Sequence, residues 1–151
     1  MPTIKSLRQK YQEIGESFEE RSDADIDSSC LLAFDYEYSG QETEIAIDTE
    51  EFTAVCPWTS LPDFGTLAVA YVPDRLCLEL KSLKYYLLSY RGVGIVQEHA
   101  ANRILNDLVA SCQPLSMDVT LDYTPRGGLH TTVSARYDKP DQAAPNDVRS
   151  S

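Results

Sequence analysis

No apolar run in this chain approaches the ~20 residues that span a bilayer. Its first residues, Met1-Pro2-Thr3-Ile4-Lys5-Ser6-Leu7-Arg8, lack the hydrophobic centre of a secretory signal. A cytoplasmic protein is expected, with no membrane partner. The four cysteines, Cys30, Cys56, Cys77 and Cys112, form no C-x-x-C pair and no metal-ligand spacing. In a reducing compartment they read as free thiols, with neither a disulfide frame nor a bound metal expected. Positive charge is scarce: 13 Lys and Arg stand against 24 Asp and Glu, a formal net charge of −11. Binding to a nucleic-acid backbone is driven by clustered Lys and Arg, so a general nucleic-acid surface is excluded. No repeat of solenoid length is visible.

What remains is enough for one domain with a sizeable core, 151 residues in all. Acidity is concentrated early, in Glu13, Glu16, Glu19, Glu20, Asp23, Asp25 and Asp27, whereas Lys81, Lys84, Arg91, Arg103 and Arg126 come later. Residues 1–28, with weak helical periodicity in Leu7, Tyr11 and Ile14, read as a short helix or a mobile acidic arm. Residues 29–138 form the expected domain, and 139–151 a frayed tail without apolar anchors. Within the domain, Glu44–Ile47 and Glu51–Cys56 look extended and are separated by a polar turn. Thr66–Val72 is a β-branched run that stops at Pro73-Asp74. From Leu76 the period changes: Leu76, Leu80, Leu83, Leu87 and Tyr90 fall three or four apart and predict a helix. Gly92 and Gly94 break it. Ile95–Cys112 predicts a second helix on Ala101, Leu105, Leu108 and Cys112, ended by Pro114. Met117–Tyr123 and Leu129–Tyr137 read as strands around the tight turn at Arg126-Gly127-Gly128. The order ββααββ predicts an α+β fold, an antiparallel sheet with two helices on one face.

The chemistry centres on Glu51-Phe52-Thr53-Ala54-Val55-Cys56-Pro57-Trp58-Thr59-Ser60-Leu61-Pro62-Asp63-Phe64-Gly65. A β-prone run delivers Cys56 to a Pro-rich turn, and Asp63 arrives at its far end. A thiol and a carboxyl on two strand ends can serve as nucleophile and proton donor. Each also has a plainer reading. A cysteine at a strand end is often a small buried hydrophobe, and Asp after Pro is a common turn residue. An unperturbed thiol, with a pKa of ~8.5, would need local activation to attack carbon. Lys81 and Lys84, three apart on one side of a helix, could straddle a phosphate or form a solvated face. Arg126 beside exposed N–H groups suits an anion or simply a hairpin turn. Glu98, at a helix start, could complement the helix dipole or accept hydrogen bonds from a purine-like base. His99 reads as a surface or packed histidine, and Trp58 as a ligand shield or a packing residue.

Taken together, these segments resemble the NADPH-dependent 7-cyano-7-deazaguanine reductases, the nitrile reductases of queuosine biosynthesis. Phe52-Thr53-Ala54-Val55-Cys56-Pro57 with Pro62-Asp63-Phe64 resembles their active-site segment. Glu79-Leu80-Lys81-Ser82-Leu83-Lys84-Tyr85-Tyr86 fits the family motif E-[SL]-K-[SA]-x-K-[LY]-[YFW] at every defined position. Glu98, Asn106-Asp107-Leu108 and Thr124-Pro125-Arg126-Gly127-Gly128 extend the likeness over about residues 45–137. The resemblance implies a tunnelling fold whose small subunits associate into barrels, here a homodecamer of two stacked pentamers with sites between subunits. It implies that Cys56 attacks the nitrile carbon to form a thioimide while Asp63 protonates the nitrogen. NADPH then reduces the adduct twice to the aminomethyl product, without metal or flavin. Glu98, with Glu79 and His99, would bind substrate; Lys81, Ser82, Lys84, Arg126 and Gly127 would bind NADPH. Some members carry His immediately before the substrate-binding Glu. Here Gln97 stands there, and His99, ~100° further round the helix, does not replace it.

Two rivals remain open at this point. An amidino-transferring relative shares the Cys and Asp pair and acts on 7-cyano-7-deazaguanine-modified transfer RNA. The complete Glu79–Tyr86 motif and the acidic balance speak against it. A non-catalytic purine-binding protein on the same fold would leave Cys56 unreactive toward nitriles.

Overall fold

The computed structural model describes residues 3–16 and 21–141. A helix, α1 (Ile4–Glu16), comes first, and two short 3-10 turns follow at Asp23–Asp25 and Ser28–Cys30. Strands β1 (Ala33–Asp35), β2 (Ile45–Val55), β3 (Pro62–Val72) and β4 (Leu76–Leu78) lead into helices α2 (Leu80–Leu88) and α3 (Gln97–Cys112). Strands β5 (Ser116–Tyr123) and β6 (Thr132–Asp138) close the chain. The main sheet is antiparallel in the order β2-β3-β5-β6, and β1 pairs with β4 as a separate two-stranded ribbon.

The core lies between the sheet and the two helices. Strand side chains Phe52, Leu67, Val69, Tyr71, Met117, Val119, Leu121 and Tyr123 meet Leu83, Tyr86, Tyr90, Ala101, Ile104, Leu105 and Leu108 from the helices. This is the period-2 face of each strand against the 3.6-period stripe of each helix. The helices are also joined by a partly buried polar chain. Tyr86 donates to Asp107 Oδ2 at 2.7 Å, Tyr90 bonds the Tyr86 hydroxyl at 2.8 Å, and Arg103 Nε reaches the same carboxylate at 2.8 Å. Leu108 is fully buried, so Leu108→Ala should cost about 2–5 kcal/mol, the usual penalty for a large core side chain lost to a cavity. Urea unfolding would measure it; a loss within ~0.5 kcal/mol would mean this seam is not tightly packed.

The ββααββ unit and its helix placement are as the sequence predicts, with three corrections. Glu44–Ile47 and Glu51–Cys56 are one strand, not two around a turn. Thr49 pairs with Leu67 but Phe52 with Gly65, so β2 holds one extra residue against β3. That bulge switches the inward phase from Ile45 and Ile47 to Phe52 and Ala54. Leu76 is not helical; Leu76–Leu78 pairs with Asp35–Ala33 as β4. Helix α2 begins only after Glu79, whose two carboxylate oxygens accept from Lys81 N–H and Ser82 N–H at 2.9 and 2.8 Å. The N-terminal arm expected over 1–28 is divided. Ile26 is in the core, and Arg21 bridges Val93, its N–H on Gly92 O at 2.7 Å and its carbonyl accepting Gly94 N–H at 2.8 Å. Most of the frayed tail expected over 139–151 lies outside the described residues. No helix among the described residues is long and apolar enough to cross a membrane.

Candidate active site

Cys56 leaves the end of β2 in the inward phase that the bulge sets, and opens a tight turn. Its N–H donates to Leu61 O at 2.9 Å, and its carbonyl accepts from Thr59 N–H and Ser60 N–H at 3.3 and 2.8 Å. The chain reverses through Ser60 at φ +56°. Asp63 follows as the second residue of β3, paired with Ala54, and it too points inward. The strand hairpin therefore delivers both groups to the helix side at one end of the sheet.

The α2–α3 connection closes the other wall. Val55 N–H donates to Val93 O at 2.8 Å and Ile95 N–H returns to Val55 O at 3.1 Å. That pairing lays the start of α3 beside Cys56. Tyr123 pins it further, its hydroxyl donating to Gln97 O at 3.2 Å. Cys56, Pro57, Trp58, Asp63, Val96, Gln97, Glu98 and Arg126 line a cleft of about 180 Å³.

Arg126 organises the floor. It comes from the β5–β6 turn, where Arg126 N–H and Leu129 O, and Leu129 N–H and Arg126 O, bond at 2.9 and 3.0 Å. Gly127 and Gly128 sit at φ +60° and +79°. Two consecutive positive φ values make a type I′ turn, whose twist matches the flanking strands. From there Arg126 Nη1 reaches Asp63 Oδ1 at 2.8 Å, the carboxylate being 6% exposed and the guanidinium 43%. The Cys56 sulfur lines the same cleft, and its proximity helps raise the guanidinium above its ordinary pKa. Burial pushes the Cys56 thiol up, but hydrogen bonds from the Thr59 hydroxyl, Arg126 and the Trp58 and Thr59 N–H groups outweigh it. The thiol lies below its ordinary value, as a nucleophile at neutral pH requires. Cys112, by contrast, is pushed up to about 12 by burial.

The fold supports comparison with known proteins. A family model described as QueF-like protein matches residues 62–142. The NADPH-dependent 7-cyano-7-deazaguanine reductase of Caldicellulosiruptor bescii (strain ATCC BAA-1888 / DSM 6725 / KCTC 15123 / Z-1320) is 54% identical over 76% of this chain and 87% of its own. The protein of the same name from Chlorobaculum tepidum (strain ATCC 49652 / DSM 12025 / NBRC 103806 / TLS) is 53% identical over 76% and 97%. The chain belongs to the QueF-like family. Its backbone is also similar to the crystal structure of the archaeosine synthase QueF-Like in the apo form, with a TM-score of 0.61 and 25% identity. That likeness covers 66% of this chain and 98% of the other.

Against the family pattern, the expected site residues divide. Cys56, Asp63, Glu98 and Arg126 meet in the cleft. Arg126, expected on cofactor phosphates, pairs with Asp63, and Gly127 is the turn residue that aims it. His99 is exposed on α3 and does not line the cleft. Glu79 caps α2; the hydrogen bonds from Lys81 N–H and Ser82 N–H hold its carboxyl below the usual carboxylate value. Ser82 is 5% exposed. Its hydroxyl accepts from Leu32 N–H at 2.9 Å and donates to Glu79 O at 2.8 Å, so it braces α2 against the β1 segment. Lys81 and Lys84 do face solvent, Lys84 lying 3.6 Å from Glu51. Lys84 and Arg91 rim an apolar groove of about 230 Å³ floored by Ile47, Phe52, Leu83 and Leu87. Exposed cations beside an apolar slot fit a phosphate-bearing cofactor with a flat ring system. Thr59 was given no role by sequence reasoning; a hydroxyl three residues after a turn cysteine is the signal that could have found it.

Proposed function

We propose that this chain reduces the nitrile of 7-cyano-7-deazaguanine to an aminomethyl group at the expense of NADPH, in queuosine biosynthesis. What carries the reading is the convergence of a thiol held below its ordinary pKa and a buried carboxyl on one arginine, in a cleft rimmed by Glu98. Relatives more than half identical, over three quarters of the chain, bear the name of that reductase.

In this reading the Cys56 sulfur attacks the nitrile carbon, converting a poor hydride acceptor into a more electrophilic thioimide. Asp63 supplies the proton that the nitrile nitrogen takes up. Glu98, at the rim, accepts hydrogen bonds from the N–H edge of the base, and Trp58 covers the mouth. NADPH, when bound, supplies the hydride for each of two reductions. Lys81 and Lys84 would hold its phosphates. Among the described residues, nothing covers the two outer strands of the sheet or its helix-free face in one chain. Assembly of several copies into a barrel would cover those edges, and the family likeness favours a decamer.

The structural neighbour named archaeosine synthase favours one second reading, an amidino transfer on the same fold. NADPH separates the two. Absorbance of NADPH with purified protein and 7-cyano-7-deazaguanine should fall by two equivalents per substrate. A folded protein that binds the nitrile base but consumes no NADPH would leave the transferase reading in possession.

A further inference from the structure

The wall of the cleft formed by Val96, Gln97 and Glu98 follows directly on the α2–α3 connection. Gly92 and Gly94 give that connection little stiffness of its own. It is held from both sides, as the middle of three short parallel stretches. On one side Val93 O accepts from Val55 N–H at 2.8 Å, and Ile95 N–H donates to Val55 O at 3.1 Å. On the other, Gly92 O accepts from Arg21 N–H at 2.7 Å, and Gly94 N–H donates to Arg21 O at 2.8 Å. The Arg21 side chain adds a further tie. Its Nη1 donates to Arg91 O at 3.1 Å and its Nη2 to Asp25 O at 3.4 Å.

Arg21 is itself well anchored. The 3-10 turn after it is closed by Ser22, whose hydroxyl accepts from Ala24 N–H at 3.2 Å, and by Asp25 Oδ2, which accepts from Ser22 N–H at 3.1 Å. Arg103 Nη1 of α3 reaches Asp23 O at 3.5 Å, and Asp27 N–H donates to Ser89 Oγ at the end of α2 at 3.1 Å. Ile26 is buried in the core. The segment therefore grips both helices as well as the connection between them. We propose that Arg21 is a positioning residue that fixes the Gly92–Gly94 connection against Val55 and so sets how closely the α3 wall faces Cys56. Val55 directly precedes Cys56, and Gln97 and Glu98 follow closely on Ile95, so any slack in this ladder opens the cleft. Arg21 lines no part of the cleft itself. The wall it holds contributes binding that substrate and transition state share, so its loss should appear in KM rather than kcat.

The test compares the native full chain with Arg21→Ala and Arg21→Lys. Hydrogen exchange without any ligand should be about five-fold faster in Arg21→Ala over residues 92–98, the effect of roughly one net hydrogen bond lost. Residues 104–112 of α3 should exchange as in the native chain. Affinity for 7-cyano-7-deazaguanine is read without NADPH from the fluorescence of Trp58, the single tryptophan, which lines the cleft. It should weaken about five-fold in Arg21→Ala, and with NADPH present KM should rise as much while kcat stays within about two-fold. Arg21→Lys can still donate to Arg91 O and should fall between the two. Unchanged exchange over residues 92–98 overturns the proposal. Faster exchange with unchanged affinity also overturns it, because Arg21 would then brace the fold without positioning the site. Only the KM and kcat comparison rests on the reductase reading. Failure of that reading would show as a native chain that consumes no NADPH, with exchange and base affinity still deciding the role of Arg21.

Discussion

Cys56→Ala should bring NADPH oxidation to background, a loss on the order of 10⁴-fold or more, while the nitrile base still binds. The magnitude follows from the role proposed. A nitrile accepts hydride poorly, and no group left in the cleft can form the sulfur adduct that activates it. Cys112 is pushed up to about 12 by burial, so it would be no substitute even if it could approach. Cys56 sits on a turn tied by backbone hydrogen bonds and loses one sulfur atom on substitution. Stability should fall by no more than about 1 kcal/mol. Intact mass makes the test direct: native protein mixed with the nitrile base and no NADPH should gain the mass of one base, and the variant none. Turnover persisting in the variant would remove Cys56 from the chemistry.

The second large effect is expected at Asp63→Asn, a fall of about 10²–10⁴-fold in turnover, the usual contribution of a positioned proton donor. Asparagine preserves the shape beside Arg126 but cannot hand a carboxyl proton to the nitrile nitrogen. The fold should tolerate it. Arg126 is 43% exposed and stays hydrated when its partner is neutralised, so solvent screening keeps the stability cost below about 1 kcal/mol. The signature separating this variant from Cys56→Ala is that it keeps the nucleophile. Adduct mass should still form, slowly, with the nitrile base. An Asp63→Asn variant turning over at the native rate would mean that another group, or water, delivers the proton.

The two expectations depend on features of different legibility. The Cys56–turn–Asp63 unit can be read in sequence because it is local: the end of one strand, a Pro-bounded turn and the start of the next occupy about a dozen residues. Helix α3 was legible for a similar reason, since Ala101, Leu105, Leu108 and Cys112 repeat at the helical period, and the left-handed Gln113 with Pro114 ends it. The Leu76–Leu78 segment was not. Its leucines fit the helical stripe of α2, but pairing with β1, more than forty residues earlier, outweighs that local preference. The β2 bulge was equally hidden, because a single extra residue in a polar stretch looks like a turn until its partner strand is known.

Ser82, Glu79 and Arg126 mark the same limit inside the motifs. Their spacing identifies the family, but not what each side chain touches. Ser82 and Glu79 are spent on the start of α2, and Arg126 is drawn from the far hairpin onto Asp63. The sequence by itself determined the family, the fold class and the thiol–carboxyl pair, because these rest on residue type, period and short-range order. Only the tertiary structure decided which cation meets that pair and which helix start walls the cleft. Those contacts join residues tens of positions apart, and their geometry exists only once the bulge, the sheet register and the core packing have set each side chain's direction.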